Sequence, residues 1–435
     1  RKRVAIIEPS EGSPAAEAGL QAGDIIMEIN GKDMAQGDRT PNELTSYVSD
    51  NLRGDPGTTC VLKLERPTAD STYIPMELKI TRGTIRTNPV PYYGMVDKNI
   101  GYIAISTFAI EGCSKDIKKA LIELKQQGAT SIVLDLRGNG GGLLSEAVNV
   151  VNFFVPKGKE IVVTKGKIKQ AGSTYKTSNE PIDMEIPLTV LVDGATASAA
   201  EIVSGSLQDL DRAVIVGNRT YGKGLVQVPR ELPYNSSMKV TTAKYYIPSG
   251  RCIQAIDYAK RNADGSVARI PDSLTTVFHT AAGREVRDGG GIRPDVEVKA
   301  ERFPNIMFYL LNDDMIFDYA TQYCIKHPNI GEVKDFSVTD ADYDDFKQML
   351  KKRNFTYDRQ SEKSLKNLKE IAEFEGYMEG ASEEFAALEK KLTHNLDHEL
   401  NRFSKQIRKA IAEEIVKRHY FQRGVILERM KDDAD

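Results

Sequence analysis

Two short stretches of this chain hold residues suited to nucleophilic chemistry. The first is Asp193-Gly194-Ala195-Thr196-Ala197-Ser198-Ala199-Ala200-Glu201-Ile202, which follows the mostly apolar run Leu188-Thr189-Val190-Leu191-Val192. A turn of small residues between a buried strand and a helix lifts a hydroxyl out of the sheet. It also aims the first N–H groups of the helix at the same point, where they can stabilise an oxyanion. The same letters have a plainer reading, because Ser198-x-x-Glu201 matches a capping box in which the serine only caps the helix.

The second stretch is Asn218-Arg219-Thr220-Tyr221-Gly222-Lys223-Gly224-Leu225-Val226-Gln227. A lysine between two glycines is ordinarily a solvated turn residue, yet glycines also let the backbone bend and approach other groups closely. Gln227 shares a face with Lys223 in helix or strand. A fully extended chain would hold them roughly 13 Å apart, so contact requires a curl, which Gly224 permits.

A serine nucleophile needs a base, and histidine is the usual one. None of His279, His327, His394, His398 and His419 falls in the segments around the serine turn. Lys223 serves if it is neutral near pH 7, which means lowering its pKa from ~10.4 to about 7–8. The site must then supply roughly 3.5–5 kcal/mol of desolvation. Leu225 and Val226 are apolar neighbours, Gln227 could orient the amine without adding charge, and no carboxylate lies within four residues of Lys223.

The elements that must position these groups follow from the hydrophobic pattern. Residues 1–86 alternate short β-rich runs (Val4–Ile7, Ile25–Ile29, Cys60–Leu64) with Gly, Pro and Asp turns, an Asn30-Gly31 hairpin signal, and helices at 14–20 and 41–52. Residues 87–301 alternate strands (100–108, 131–136, 187–192, 213–216) with helices (114–127, 198–210), the order of βα units around a largely parallel sheet. Residues 302–435 read as charged helices at 303–324, 341–352, 361–392 and 400–430.

Composition narrows the field. A length of 435 residues argues for two or three domains, and a formal charge of −3 gives no reason to expect a nucleic-acid partner or an anionic membrane surface. No apolar run approaches the ~18–20 residues that span a bilayer. Cys60, Cys113, Cys252 and Cys324 are too dispersed for a zinc or thioredoxin-type motif and read as buried thiols. His394-x-x-x-His398 lacks the adjacent glutamate of a metalloprotease helix. The Gly-rich run after Leu136 is neither a G-x-G-x-x-G nor a G-x-x-x-x-G-K-[ST] pattern, so a nucleotide site is not indicated. The chain begins at Arg1 inside what reads as a strand, as expected of a fragment, either cut out or processed, from which a targeting segment can have been removed.

Taken together, Ala195–Ile202 and Tyr221-Gly222-Lys223-Gly224-x-x-Gln227 resemble the C-terminal processing (tail-specific) serine peptidases. Gly101–Ile105, Leu134-Asp135-Leu136-Arg137-Gly138-Asn139-Gly140-Gly141-Gly142, Lys244–Arg251 and Gly290–Asp295 extend the resemblance, which runs from the N-terminus to Val296. It departs at Thr196 and Ala200, where the family often carries serines.

The resemblance implies an α/β core of the ClpP/crotonase-like kind, a serine endopeptidase acting through an acyl-enzyme, and no metal or cofactor. It implies Ser198 as nucleophile, Lys223 as base and Gln227 as support for the lysine, with backbone N–H groups of Ala199 and of Gly141 or Gly142 at the oxyanion. Gly12–Leu20 and Gly23-Asp24-Ile25-Ile26 resemble a PDZ domain. PDZ domains capture peptide C-termini by strand addition, and the resemblance places the carboxylate loop before Arg1, with Arg53 or Arg82 as candidates to couple the modules.

Protein or peptide substrates, an adaptor or regulatory protein, a homo-oligomer through the helical region and a bacterial periplasmic or cell-envelope location are further expectations. The rival expectation is a catalytically silent PDZ scaffold. An acyl-CoA enzyme on a crotonase-like fold is disfavoured by the PDZ signature and the lysine motif.

Overall fold

A computed structural model of the chain describes residues 2–70, 72–167, 172–261, 267–299, 303–392 and 396–433. It divides into two compact units, one of Arg86–Ala300 and one of Arg1–Ile85 with Glu301–Asp433.

In the N-terminal segment a short helix α1 (Pro14–Glu17) starts at Ser13, whose hydroxyl accepts the Ala16 N–H, with Pro14 pre-set at the first helical position. Strands β1 (Ile25–Ile29) and β2 (Lys32–Asp33) turn through Asn30 and Gly31, both at positive φ, as an Asn-Gly hairpin requires. Helix α2 (Pro41–Leu52) carries a full Thr40/Glu43 capping box. Strands β3 (Thr59–Pro67) and β4 (Tyr73–Thr81) complete an antiparallel sheet of order β2–β1–β3–β4 over a core that includes Ile26, Ile29, Leu44, Val48, Leu62 and Leu64. The predicted strand at Val4–Ile7 makes only an isolated bridge, Ala5 to Ile25. Arg82 is held by the carbonyls of Asn51, Leu52 and Thr59 and by the Thr58 hydroxyl, so it closes the end of α2 onto its own sheet. Arg53 is exposed and lies 3.9 Å from Asp50.

The other unit is built on β5 (Tyr92–Asp97), β6 (Ile100–Ala104), α3 (Cys113–Gln126), β7 (Ser131–Asp135), α4 (Leu144–Val151), β8 (Glu160–Gly166), β9 (Ser173–Lys176), β10 (Leu188–Val192), α5 (Ala199–Asp209) and β11 (Val214–Gly217). Next come β12 (Leu225–Leu232), β13 (Ser236–Tyr246), β14 (Ile256–Arg261), β15 (Val267–Arg269), β16 (Val277–His279), β17 (Glu285–Arg287) and β18 (Val296–Glu297). The central sheet has the order β18–β11–β10–β7–β6–β5 and is parallel except at β5, as the βα alternation predicts. Its strands are nearly continuous apolar runs because helices cover the faces. Ile132, Leu134, Val190, Val192 and Ile215 pack with Ile117, Leu121, Val150, Val203 and Leu207 of α3, α4 and α5.

A second, antiparallel sheet of order β12–β13–β8–β9 lies in the same unit. The βα reading of the sequence did not contain it, and it matters because its first strand begins two residues after Lys223. The α5 C-terminus is anchored by a buried ion pair, Asp209 to Arg251 at 2.8 Å.

The C-terminal segment is helical: α6 (Asn305–Asn312), α7 (Met315–Lys326), α8 (Asp340–Lys352), α9 (Gln360–Phe374), α10 (Met378–Leu392), α11 (Leu396–Arg402) and α12 (Ser404–Met430). Two predicted long helices are broken where the backbone turns left-handed, at Asp314 (φ 59°) between α6 and α7 and at Gly376 (φ 81°) between α9 and α10. The predicted helix 400–430 is divided between α11 and α12, and α12 is kinked at Phe421 (φ 52°). Ile316, Tyr343, Phe346, Leu400, Ile407 and Ile415 belong to the core of this segment. Cys60 and Cys113 are buried and Cys252 and Cys324 half-buried, all four as free thiols. His394 lies outside the described residues, and among the described residues no group of three His, Cys, Asp or Glu side chains is placed to hold a metal ion.

Candidate active site

Ser198 sits between β10 and α5 with φ 57° and ψ −116°, a conformation that residues bearing a Cβ seldom adopt. Such strain costs about 1–3 kcal/mol and persists only where surroundings over-determine it. The surroundings here are specific. Asp193 accepts N–H groups from Gly138, Ala195 and Thr196, and the buried Thr196 hydroxyl donates to the Leu136 carbonyl at 2.8 Å. The Ala197 N–H donates to the Asn139 carbonyl, so the serine turn is stitched to the Gly-rich loop after β7. Ser198 itself is half-buried at the surface of this turn.

Glu201 is the centre of the arrangement. It is fully buried, and its Oε2 accepts the N–H groups of Ser198 (2.8 Å) and Lys223 (2.9 Å). Its Oε1 accepts the Thr220 hydroxyl (2.5 Å) and the Gly222 N–H (2.8 Å). The carboxylate half of the predicted capping box is therefore present, but the same carboxylate also binds the lysine loop. Burial pushes the Glu201 carboxyl above its ordinary value, against the pull of these donors. The absence of a carboxylate near Lys223 in sequence does not carry over to space.

A second buried group joins the same two residues. The Tyr245 hydroxyl, at the end of β13, donates toward the Ser198 carbonyl (3.3 Å) and the Lys223 carbonyl. Gly222 (φ 86°) lets the lysine loop pass against Ala255, where an added Cβ would lie 2.3 Å from the alanine Cβ. The neighbouring N–H, of Gly224, donates to the Gln254 side chain at 2.7 Å.

Lys223 is half-buried, and among the described residues no hydrogen bond joins its Nζ to Ser198 Oγ. Gln227 lies on β12 just past a bulge, exposed, with its amide donating to Thr241 Oγ1 at 3.5 Å across the ladder. The structure thus brings the Ser198 and Lys223 backbones together but does not bring the Gln227 side chain to Lys223.

The Gly-rich loop reaches the serine as expected. An added Cβ on Gly141 would lie 2.8 Å from both Ser198 Cβ and Ala199 N. The Gly141 N–H is already used, however, donating to Asn139 Oδ1 at 2.9 Å, so it is not an open oxyanion donor here. Among the described residues no acceptor takes the N–H of Ala199 or of Gly142. Ala199 is buried, and a buried N–H without a partner beside a hydroxyl is the geometry an oxyanion fills. Asn139, also fully buried, fixes the loop by donating to the Ile105 carbonyl at 2.8 Å.

Sequence reading missed Glu201 as an organiser, Asn139 and Tyr245. For Glu201 a signal existed, since an acidic residue inside the otherwise apolar and small run Ala199–Ser204 has to find buried donors. Tyr245 had no comparable signal, because its partners are main-chain carbonyls far away in sequence.

Comparison with known proteins agrees with the fold. Residues 99–260 match Peptidase family S41, residues 6–66 a PDZ domain, and residues 306–435 the family described as "Probable PDZ-protease, C-terminal helical domain". Residues 99–260 thus carry a domain of peptidase family S41, with a PDZ module N-terminal to it and a helical region C-terminal to it.

It is 38% identical over 259 residues to the carboxy-terminal-processing protease of Bartonella bacilliformis, covering 58% of this chain and 56% of that one. It is 35% identical over 250 residues to the carboxy-terminal processing protease CtpA of Bacillus subtilis, covering 58% and 51%. The chloroplastic C-terminal processing peptidase of Tetradesmus obliquus is 33% identical over 288 residues, covering 63% and 58%. The chain thus spans little more than half the length of these relatives. Among solved structures, the photosystem II D1 C-terminal processing protease is 30% identical over 70% of each chain, with a TM-score of 0.37. Among the described residues no helix is long and apolar enough to cross a membrane.

Proposed function

We propose that this chain is a serine endopeptidase that hydrolyses protein substrates through an acyl-enzyme on Ser198. The observation that carries the reading is the single buried carboxylate of Glu201, which holds the Ser198 N–H and the Lys223 N–H on one oxygen. In the reacting arrangement Lys223 Nζ comes within hydrogen-bond reach of Ser198 Oγ, and Gln227 orients the amine. Oγ attacks the scissile carbonyl carbon as its proton passes to Nζ. The C–N bond then breaks, with that proton going to the leaving amine. Water repeats the sequence to release the acyl group. The N–H groups of Ala199 and Gly142 stabilise the oxyanion in both steps, supported by their having no other acceptor among the described residues.

The PDZ module engages C-terminal segments of the substrate by strand addition. A bacterial cell-envelope setting and an adaptor protein fit a processing enzyme of this family. Self-association through the helical region belongs to the same proposal.

The test is cleavage of an unfolded protein by wild type beside Ser198→Ala and Lys223→Ala. Loss in both variants with retained substrate binding supports the dyad. Equal cleavage by all three proteins rejects it. No cleavage by wild type favours a silent PDZ scaffold.

A further inference from the structure

Helices α9 and α10 lie side by side, linked by an ion pair from Lys369 to Glu389 at 2.6 Å. On α10, Met378, Ala381, Phe385, Leu388 and Leu392 recur at three- and four-residue spacing, the pattern of a helix that packs along a seam. Yet no residue of α10 is fully buried, and α9 buries only Leu365 and Ala372. Apolar side chains of α9 are bare as well: Leu368 is 50% exposed, Ile371 45% and Phe374 94%, with Tyr377 in the turn 68% exposed. Two helices alone leave such a seam open on one side, and the simplest covering is another pair of helices, which makes a four-helix bundle.

The charges indicate which pair. The tip of the arm carries Glu373, Glu375, Glu379, Glu383 and Glu384 with no lysine or arginine between residues 371 and 389. The base carries Lys366, Lys390 and Lys391, which like the tip glutamates make no ion pair among the described residues. A copy of the arm laid parallel would set acidic tip on acidic tip. Laid antiparallel, each tip meets the partner's base, twice by symmetry.

We propose that the α9–α10 arm is a self-association surface, pairing antiparallel with the same arm of a second copy of this chain. This rests on the self-association proposed above and not on the peptidase chemistry.

The experiment is sedimentation of the full chain at low salt. Wild type is expected as a dimer that weakens as salt rises. Phe374→Glu, at a site too exposed to carry the fold, is expected to weaken the dimer by about tenfold or more, with an unchanged circular dichroism spectrum. Glu379→Lys with Glu383→Lys is expected to weaken it by a similar factor, and adding Lys366→Glu with Lys390→Glu to the same chain is expected to restore it. A monomeric wild type overturns both this surface and self-association itself. A dimer indifferent to Phe374→Glu, or a charge-reversed chain that is not restored, overturns the arm pairing alone. Cleavage assays on the same samples report separately on the dyad.

Discussion

Ser198 and Lys223 hang from the same atom. Their N–H groups reach Glu201 Oε2 at 2.8 and 2.9 Å, so the serine turn and the lysine loop are fixed to each other before any side chain is considered. The proposed nucleophile and base belong to different elements, and this buried carboxylate bridges them.

Glu201→Gln tests this strut. The amide presents donors where acceptors are needed and leaves buried N–H groups unpaired, each costing about 1–3 kcal/mol. We expect a lower melting temperature and a fall in kcat of about a hundredfold or more from misplacement of the pair, with KM little changed. Wild-type kcat in a folded Glu201→Gln protein would contradict it.

The strain at Ser198 makes a second, separable prediction. Glycine accepts φ 57° and ψ −116° more readily than alanine. Ser198→Gly should therefore be more stable than Ser198→Ala by about 1 kcal/mol, both being inactive. Chemical denaturation of the two variants measures the difference, and equal midpoints would mean the turn is not strained.

Tyr245→Phe keeps the ring and removes the hydroxyl that donates toward the Ser198 and Lys223 carbonyls. The expected stability loss is modest, about 1 kcal/mol. The expected kcat loss is larger than that stability change implies, because the phenol holds one carbonyl from each side of the site. Thermal melts and initial rates on the same preparation separate the two effects.

Acid stability should report on Asp183. Burial pushes its carboxyl up, but the Lys125 ammonium and the N–H groups of Ile186 and Glu185 outweigh burial and hold it down at about 2, below its ordinary 3.8. A folded pKa below the unfolded one gives stability that is present above pH 3.8 and lost as pH falls toward 2. The melting-temperature gap between wild type and Asp183→Asn should thus close across that window. A gap that stayed constant with pH would refute it.

Much of the architecture was readable from local pattern. The apolar strands 131–135 and 188–192, the Asn30-Gly31 turn and the Thr40/Glu43 box declare themselves because the cause lies within a few residues. Helix breaks at Asp314 and Gly376 were less legible, since charged helical composition continues across both. The site was legible in its polar letters and opaque in its supports. Ser198, Lys223 and the glycines announce chemistry by type and spacing. Glu201 looked like a helix cap because its other partners, Thr220, Gly222 and Lys223, are nineteen to twenty-two residues away. Gln227 was read along a single strand, whereas a bulge in a hairpin that the βα pattern did not predict carries its side chain to Thr241.

That hairpin has a mechanical consequence. Lys223 leads into β12 and Tyr245 ends β13, with Leu225 opposite Lys244 in the ladder. The far end of the ladder is solvent-exposed, with Tyr234 fully so. Its near end is held, because β13 also pairs with β8 over Ala243–Tyr246 and Tyr245 is buried in the core, so the exposed two-strand stretch beyond Ala243 is a handle fixed at the end that bears the lysine loop and the phenol.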